Sequence, residues 1–461
     1  TEVRLDARPP SIGTMAAQLR GLEQVRSMMS SSTLFLLADL PFAILFIFIV
    51  AKLGGVIATV MLVSFPISMI LAFIFARMIR EDTARAQVSG NKKNGVLVEA
   101  LDAAETIKSN RGHWFMMARW SALLDELHDA ELPIKQRQAL AGTIFGSIQQ
   151  LAYVALIGWG AVEVFNNNMT MGALIACSIL SSRILQPIAA LPSQLIQWGY
   201  CKSALHGLDQ IWGLPDDHHG QTPVVLQSVE GHFALKDVVY GYGPQAALKV
   251  AKLNIKSGEK IGVLGPIGAG KTTLLRLLSG MYKPQAGDIT LDGVDLAFIA
   301  KPLLAEQVGY LQQEGRLFEG TLRDNLLVGM SDPGDEILKG VALQTGLHQA
   351  VLASHPLGFD LPIQEGGMGL SGGQRQLVNL TRVFLRRPRI WLMDEPTAAM
   401  DRQLADHVTN AFKQALRPQD TLIMVTHKPE MLTLVDRLVV IAKHEVLLDG
   451  PKDQVLRQLH A

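Results

Sequence analysis

Residues 265–272, with the sequence GPIGAGKT, fit the phosphate-binding pattern G-x-x-x-x-G-K-[ST]. The glycines of this pattern let backbone N–H groups close around phosphate oxygens. We expect Lys271 to reach the β- and γ-phosphates and Thr272 to ligate Mg²⁺. The residues assigned to this nucleotide-binding loop are Gly265, Gly268, Gly270, Lys271, Thr272 and Thr273.

The segments on both sides of this loop have the composition that it requires. Residues 260–264 form a short, mostly apolar run that predicts a buried strand. Residues 273–278 predict a helix, whose N-terminal dipole would favour a bound anion. A chance glycine-rich turn would lack this order of strand, loop and helix, so the sequence predicts a nucleotide-binding site.

Two acidic residues end a second buried run, residues 390–395 with the sequence IWLMDE. A Mg²⁺ site and a base that activates water require such acids next to each other. We expect Asp394 to hold the metal through its water shell and Glu395 to polarise the attacking water. The pair is weak evidence alone, but its place after the phosphate-binding loop makes it strong.

A third motif of small residues, residues 370–374 with the sequence LSGGQ, precedes a helix predicted over residues 375–385. Its glycines allow a close approach to phosphate, and the helix N-terminus would favour the same anion. A motif that starts a different helix of the same domain cannot reach its own phosphate-binding loop, so a second copy of the chain must supply it. The residues assigned to it are Ser371, Gly372, Gly373 and Gln374.

The elements that must hold these motifs fall into two halves of different composition. The chain has 461 residues, and its 42 basic and 42 acidic residues give no global charge that would favour a nucleic-acid partner. Residues 1–212 carry long apolar runs that predict a membrane domain, with four spans at about 33–51, 56–78, 140–165 and 171–198. Between the second and third spans, residues 81–138 predict two helices of about thirty residues that project about 45 Å beyond the bilayer.

The second half begins after a polar, proline-containing linker, residues 213–230. Residues 231–461 alternate predicted strands, helices and charged turns, as a soluble α/β domain does. The predicted fold class is therefore multi-domain, with an all-α transmembrane helical bundle followed by an α/β domain that carries the phosphate-binding loop.

The order of the motifs resembles that of the ATP-binding cassette, and the whole chain resembles an ABC exporter with fused membrane and cassette domains. The resemblance implies ATP and Mg²⁺ as ligands and a homodimer, because one chain contains one cassette. It implies that Tyr242 stacks on the adenine base, with Tyr240 as the competing choice. It also implies that Gln313 is the glutamine that contacts Mg²⁺, although the register leaves Gln312 open.

Two further positions are similar to known cassette motifs. Asp401, after the sequence AAM, resembles the end of the family's D-loop, and His427 follows an apolar strand as the histidine that contacts the γ-phosphate does. The resemblance therefore implies ATP hydrolysis with Glu395, His427 and Gln313 as catalytic residues. It also implies a second coupling helix, which we expect within residues 95–104; the alternative is that these residues are only a buried amphipathic face of the helical extension.

The membrane half is most similar to type I secretion ATPases, the exporters of RTX toxins and adhesins. Residues 6–13, 23–26 and 39–42 carry this likeness. It implies two further membrane helices before residue 1, an inner-membrane location with a cytoplasmic cassette, and a secreted protein as substrate. A periplasmic adaptor and an outer-membrane channel would be the partners, and membrane lipid would surround the helical domain.

Two other functions remain open from the sequence. An ABC exporter of lipid, peptide or small molecules would share every cassette residue and differ only in its cavity. A regulator that binds ATP without turnover is the third candidate, and the presence of Glu395 and His427 argues against it.

Overall fold

The computed structural model describes residues 4, 7, 12–29, 33–216, 222–243 and 245–460. Within these ranges, the side chains outside the description are those of residues 12–14, 16, 17, 20, 24, 33–40, 76, 80, 81, 84, 187–196 and 460. Most of residues 6–13, which carry part of the secretion resemblance, and residues 217–221 of the predicted linker also lie outside it. The chain forms two compact units, Pro9–Leu214 and Pro215–Ala461, with Thr1–Arg8 grouped with the second. The division falls within the segment for which the sequence predicts a linker.

The first unit is built from helices in the part of the chain that the structure describes. They are α1 (Ile12–Ser27), α2 (Thr33–Gly54), α3 (Ala58–Asp102), α4 (Ala104–Ser109), α5 (His113–Phe165) and α6 (Met171–Trp212). Gly55, with φ +53°, begins the 3₁₀ turn between α2 and α3. Thr170 caps α6 by accepting a hydrogen bond from the backbone N–H of Ala173.

Two stretches of the described helices are long and apolar enough to cross a membrane, Pro41–Ile79 and His113–Phe165. The first contains the α2–α3 turn and therefore covers parts of two predicted spans. Met171–Gln186 is a shorter apolar helix at the start of the fourth predicted span, which continues into residues 187–196. The count of four spans stays a prediction.

The long helices α3 and α5 pack side by side in opposite directions. Phe75 lies against Phe145 near the middle of both helices, where the ring centroids are 6.3 Å apart. Closer to the end of α3, the carboxylate of Glu126 accepts hydrogen bonds from Ser89 and Lys92 at 2.9 and 3.1 Å. The polar residues 81–138 therefore continue the apolar helices without a break until the turn that joins them, as the sequence predicts.

This turn begins within the segment for which we expect a coupling helix. Residues 95–102 continue α3, and the helix ends at Ala103, where φ is −91° and ψ is 16°. The separate short helix is α4, Ala104–Ser109, and the coupling role of residues 95–104 stays a prediction.

The second unit is an α/β domain. Its helices are α7 (Lys271–Leu278), α8 (Lys301–Gln307), α9 (Leu322–Leu326), α10 (Asp335–Thr345), α11 (Leu347–Ala350), α12 (Gly372–Arg386), α13 (Arg402–Ala415) and α14 (Lys452–His460). Its strands are β1 (Phe233–Tyr240), β2 (Leu248–Ile255), β3 (Lys260–Leu264), β4 (Ala286–Leu291), β5 (Val294–Asp295), β6 (Val308–Leu311), β7 (Gly320–Thr321), β8 (Pro362–Ile363), β9 (Ile390–Asp394), β10 (Thr421–Val425), β11 (Arg437–Ala442) and β12 (Glu445–Pro451).

Ten of these strands form one mixed sheet in the order β5-β4-β1-β2-β12-β11-β3-β10-β9-β6. Strands β11, β3, β10, β9 and β6 are parallel, while β1, β2 and β4 pair antiparallel. A helical unit followed by an α/β unit confirms the predicted fold class.

The parallel strands are buried on both faces, as parallel sheets normally are. Along β9, Trp391 and Met393 join one hydrophobic cluster, and Ile390 and Leu392 join the cluster on the opposite face. In the first cluster the ring of Phe384 lies 5.2 Å from that of Trp391 and 5.0 Å from that of Phe412. These three rings fix α12 and α13 against the central strands.

We expect Phe412→Ala to lower the free energy of unfolding of the α/β unit by about 3–5 kcal/mol, since it empties the centre of this aromatic cluster. Thermal unfolding of the purified protein measures the loss. Phe318→Ala, at a side chain that is 59% exposed, is the matched control and should change stability by less than about 0.5 kcal/mol. Equal losses in both variants would contradict the described packing.

Candidate nucleotide-binding site

Four neighbouring parallel strands end at the same edge of the sheet, and each is followed by a motif. In the order β3-β10-β9-β6, they lead into residues 265–272, His427, the pair Asp394 and Glu395, and Gln313. Val425 of β10 pairs with Val263 of β3 and with Asp394 of β9, so the strands end level with one another. The carboxyl edge of a parallel sheet is the usual position of a ligand site in α/β domains.

The loop of residues 265–272 requires glycine at two positions. Gly265 has φ +152°, and a Cβ atom there would lie 2.0 Å from the carbonyl oxygen of Ile441. Gly270 has φ +107° and immediately precedes α7, which therefore begins at Lys271, two residues earlier than the sequence predicts. The backbone N–H groups of the first turn of α7 thus open toward the loop.

The amine of Lys271 lies within this loop. It donates hydrogen bonds to the carbonyl oxygens of Gly265 and Pro266 at 2.6 and 2.9 Å. Burial lowers the pKa of Lys271, and the nearby carboxylates of Glu395 and Asp394 partly offset this effect. The sheet edge therefore brings the predicted phosphate contact and the predicted acids together.

Asp394 is the buried acid at the end of β9, only 1% exposed, and its Oδ2 has no hydrogen-bond partner. Burial is the largest cause of its raised pKa, and the charge of Glu395 adds to it. The hydroxyl of Thr272 interacts with the same carboxylate and acts in the opposite direction. A buried carboxylate oxygen with no partner is costly, and a bound cation would compensate it.

The residues predicted to hold Mg²⁺ fit that ion. Among the described residues, no group of three or more His, Cys, Asp and Glu side chains could bind a metal. Mg²⁺ does not require such a group, since it takes one or two protein ligands and fills its other positions with phosphate oxygens and water. Asp394 and Thr272 supply two oxygens of the required kind. Gln313 follows β6 and is exposed, as is Gln312, so the choice between the two glutamines stays a prediction.

Glu395 has a backbone conformation that is unusual for its residue type. Its φ is +48°, in the left-handed region, and its N–H donates to the carbonyl oxygen of Val425 at 2.9 Å. Its Oε1 lies 3.8 Å from Nε2 of His427, the residue at the end of the neighbouring strand. A carboxylate and an imidazole thus lie side by side at the sheet edge, next to the predicted metal ligand.

Tyr242 and Tyr240, the two candidates for the adenine contact, have different environments. Tyr240 is 3% exposed in β1, whereas Tyr242 is 58% exposed and available for a ligand. The Tyr242 hydroxyl lies 3.3 Å from that of Thr273 and accepts a hydrogen bond from Arg276 at 2.9 Å. These contacts connect the Tyr242 side chain to α7, and the choice between the two tyrosines stays a prediction.

The structure adds Arg276 to the residues around the site, and the sequence analysis did not identify it. Its guanidinium lies 5.6 Å from the ring centre of Tyr282 and also donates the hydrogen bond to the Tyr242 hydroxyl. Its charge also offsets the raised pKa of Tyr310, which burial causes. A basic residue within the apolar run of residues 274–278 was the available signal, because such a residue needs electron-rich partners.

The motif of residues 371–374 begins α12, which starts at Gly372 instead of the predicted Arg375. Ser371 and Gln374 form a capping box, in which each side chain accepts a hydrogen bond from the backbone N–H of the other at 3.2 and 2.8 Å. The Gln374 amide also donates to the carbonyl oxygen of Ala350 at 2.8 Å. The capping pattern S-x-x-Q was visible in the sequence and explains the earlier start.

The segment between Glu395 and α13 lies against the start of α12. A Cβ atom on Gly373 would lie 2.7 Å from the carbonyl oxygen of Ala399, so a larger residue would displace one of the two. Asp401 caps α13 by accepting a hydrogen bond from the backbone N–H of Leu404 at 2.8 Å. Asp401 therefore has a structural function besides any contact with a ligand.

Comparison with known proteins gives consistent matches across the chain. Residues 248–398 match the family model described as ABC transporter, and residues 9–188 match the one described as ABC transporter transmembrane region. The chain is 28% identical over 449 residues to the cyclolysin secretion/processing ATP-binding protein CyaB of Bordetella pertussis, covering 96% of this chain and 62% of that protein. It is 26% identical to the leukotoxin translocation ATP-binding protein LktB of a Pasteurella haemolytica-like species, covering 97% and 63%.

The chain thus spans less than two thirds of the length of these curated relatives. Among solved structures, a bacterial Atm1-family ABC exporter with ATP bound has a TM-score of 0.84 at 21% identity. The match covers 97% of this chain and 79% of that one, and it shows that the two share a fold.

We expect Asp394→Asn to raise the melting temperature of the metal-free protein by about 2–4 °C or more, because it removes a buried charge without a partner. The folded protein binds the Asp394 proton more tightly than the unfolded chain does. The contribution of Asp394 to the free energy of unfolding therefore falls as pH rises from about 4 through the pKa of Asp394 in the folded protein. The gain should therefore be largest at neutral and basic pH and should vanish at the acid end.

Differential scanning fluorimetry across this pH range, with and without Mg²⁺, measures the effect. Asp288→Asn, at an exposed position on β4, is the control and should change little. A stabilisation by Mg²⁺ and ATP that Asp394→Asn leaves undiminished would argue against a metal ligand at this position.

Proposed function

This chain belongs to the ABC transporter family, and we propose that it uses ATP hydrolysis to export a protein across the bacterial inner membrane as part of a type I secretion system. The membership confirms the resemblance drawn from the order of the motifs. The observation that carries the proposed ATP hydrolysis is the convergence of Lys271, Asp394, Glu395 and His427 at one edge of the sheet. The proposed protein substrate is supported by relatives whose names describe cyclolysin secretion and leukotoxin translocation.

In the proposed site, the nucleotide lies on the loop of residues 265–272. Lys271 exchanges its two backbone carbonyl partners for phosphate oxygens, which removes the cost of a buried amine. The backbone N–H groups around Gly268 and Gly270 and the start of α7, including Thr273, face the remaining phosphate oxygens. Tyr242 offers its exposed ring to the adenine base.

The residues that would hold Mg²⁺ are Thr272, Asp394 and Gln313. When bound, the ion neutralises the charge that develops on the phosphate oxygens. Asp394 supports this assignment because its free Oδ2 is buried and lacks any other partner.

Hydrolysis requires a group that orients the attacking water. Glu395 accepts a proton from that water or aligns it. His427, at 3.8 Å from the Glu395 carboxylate, contacts the γ-phosphate next to this water. The left-handed backbone at Glu395 turns its side chain out of the strand direction. The neighbouring buried Asp394 can therefore bind metal while Glu395 remains available for water.

A second copy of the chain completes the proposed site. Ser371 and Gly372 are exposed at the start of α12, where helix N–H groups and small residues can approach a phosphate. Gly373, Gln374 and Asp401 complete the segment that would face the nucleotide of the partner copy. We therefore propose a homodimer with two ATP molecules between its cassettes.

The proposed location and partners follow from the membrane half. The match to the transmembrane region of ABC transporters makes this a membrane protein. We propose that it lies in the inner membrane with its cassette in the cytoplasm, and that a periplasmic adaptor and an outer-membrane channel receive the secreted protein.

We expect Glu395→Gln to lower kcat for ATP hydrolysis at least about 100-fold while ATP still binds, since the amide cannot accept a proton from water. Phosphate release and nucleotide titration with the purified, membrane-reconstituted protein give the two quantities. Glu430→Gln, on the loop that follows His427, serves as the control and should hydrolyse ATP normally. Undiminished phosphate release from Glu395→Gln would refute its proposed role.

The proposed export of protein is tested in cells. The extracellular proteome of cells with the native gene is compared with that of cells carrying Glu395→Gln at an equal expression level. We expect one large protein to disappear from the medium or the cell surface, which also identifies the substrate. An unchanged set of secreted proteins would exclude protein export and favour a lipid, peptide or small-molecule substrate.

A further inference from the structure

Gln376 is a buried amide on the apolar face of α12, two residues after the motif of residues 371–374. It is 7% exposed and lies on the same helix as the fully buried Leu377 and Leu380. A buried amide costs roughly 1–3 kcal/mol unless its polar atoms are hydrogen-bonded. The position of Gln376 among leucines therefore requires an explanation.

Both polar atoms of this amide bind backbone groups next to the proposed catalytic residue. Its Nε2 donates to the carbonyl oxygen of Glu395 at 2.7 Å, and its Oε1 accepts from the N–H of Ala399 at 3.0 Å. The carbonyl can only accept and the N–H can only donate, so the partners themselves fix the orientation of the amide. One side chain thus connects α12, Glu395 and the loop of residues 397–401.

Glu395 needs such a contact because its backbone is strained. A left-handed conformation costs a residue with a Cβ atom roughly 1–2 kcal/mol, and it persists only where its surroundings enforce it. Here the N–H of Glu395 is bound by Val425, and its carbonyl oxygen is bound by Gln376 and by the N–H of Ala398 at 3.1 Å. With both sides of the residue held, the direction in which its side chain leaves the backbone is fixed.

The loop of residues 397–401 is held from a second side by Lys428, the residue after His427. Its amine donates to the carbonyl oxygens of Thr397 and Met400 at 2.6 and 3.1 Å. Lys428 reaches the loop only, whereas Gln376 reaches both the loop and Glu395. Gln376 is therefore the contact through which the start of α12 acts on the proposed catalytic carboxylate.

We propose that Gln376 is a positioning residue for ATP hydrolysis: it holds Glu395 in its left-handed conformation and couples it to the start of α12 and to residues 397–401. The proposal rests on the function proposed above. It adds that the motif offered to the partner's nucleotide is connected, within the same chain, to the water-activating residue of the chain's own site. Displacement of the first turn of α12 would thereby change the orientation of the Glu395 side chain.

The test compares Gln376→Met, which keeps the length of the side chain but cannot form either hydrogen bond, with the native protein. Misplacing a catalytic group by about 1 Å costs up to about 100-fold in rate, so we expect kcat to fall about 10- to 100-fold with the Kd for ATP unchanged. Thr381→Val is the matched control. It removes the buried hydrogen bonds of the Thr381 hydroxyl, one between Thr381 and Thr345 at 2.8 Å and one to the carbonyl oxygen of Leu377 at 2.7 Å, and should lower the melting temperature without changing kcat.

Gln376→Glu gives a readout that a merely structural role would not produce. Its carboxylate can still accept from Ala399 but would face the carbonyl oxygen of Glu395, and only the protonated form can donate there. Burial raises the pKa of such a carboxyl. We expect its rate relative to the native protein to rise as pH falls from 8 to 5.5, while the relative rate of Gln376→Met stays constant.

Hydrogen exchange tests the contact without hydrolysis. Gln376→Met should increase the exchange of peptides covering residues 395–401 and leave those of β3 and β10 unchanged. Faster exchange there with a reduced kcat supports the proposal. Normal kcat in both Gln376 variants, or unchanged exchange over residues 395–401, would overturn it. A native protein that does not hydrolyse ATP would instead overturn the proposed function, and the exchange experiment would still decide whether Gln376 holds this segment.

Discussion

The parallel pairing of β9 with β10 is the interaction on which the candidate site depends. Its last pair joins Asp394 to Val425, and the carbonyl oxygen of Val425 then accepts the N–H of Glu395. The ladder thereby sets how far each strand extends before it turns. A shift of one residue would turn the Asp394 side chain to the opposite face of the sheet, since successive side chains on a strand point in opposite directions. The two acids have different chemistry because this register gives them different surroundings.

The same site contains groups that the protein by itself stabilises poorly. Lys271 is buried against backbone carbonyls, Asp394 has a carboxylate oxygen without a partner, and Glu395 has a strained backbone. The remainder of the α/β unit compensates for this with a sheet that is buried on both faces and with the ring cluster of Phe384, Trp391 and Phe412. A ligand with phosphates and a divalent cation would supply the missing partners, so the site is more stable with this ligand bound than without it.

Much of this arrangement could be predicted from the sequence, because the motifs are local. Strand 260–264 and the end of β9 at Asp394 follow from short apolar runs that stop at a glycine or an acid. The helix starts at Lys271 and Gly372 were predicted too late, since capping by Gly270 and Ser371 includes residues that pattern alone assigns to the loop. The contacts of Gln376 with Glu395 and of Arg276 with Tyr242 could not be predicted, because these partners are 19 and 34 residues away along the chain and meet only in the folded domain.

The antiparallel helices α3 and α5 are connected along their length by side-chain ion pairs. Three ion pairs at successive positions along α3 fix the register between the two helices. They join Asp82 to Arg137, Lys92 to Glu126 and Glu99 to Arg119. Exposed pairs of this kind add little stability, but together they oppose sliding of one helix along the other. The two helices can therefore tilt as one body more easily than they can shear. Over the roughly 35 Å of their polar portion, a tilt of about 5° at one end moves the other end by about 3 Å. The length of the pair thus amplifies a small angular change into a displacement comparable to the spacing between side chains.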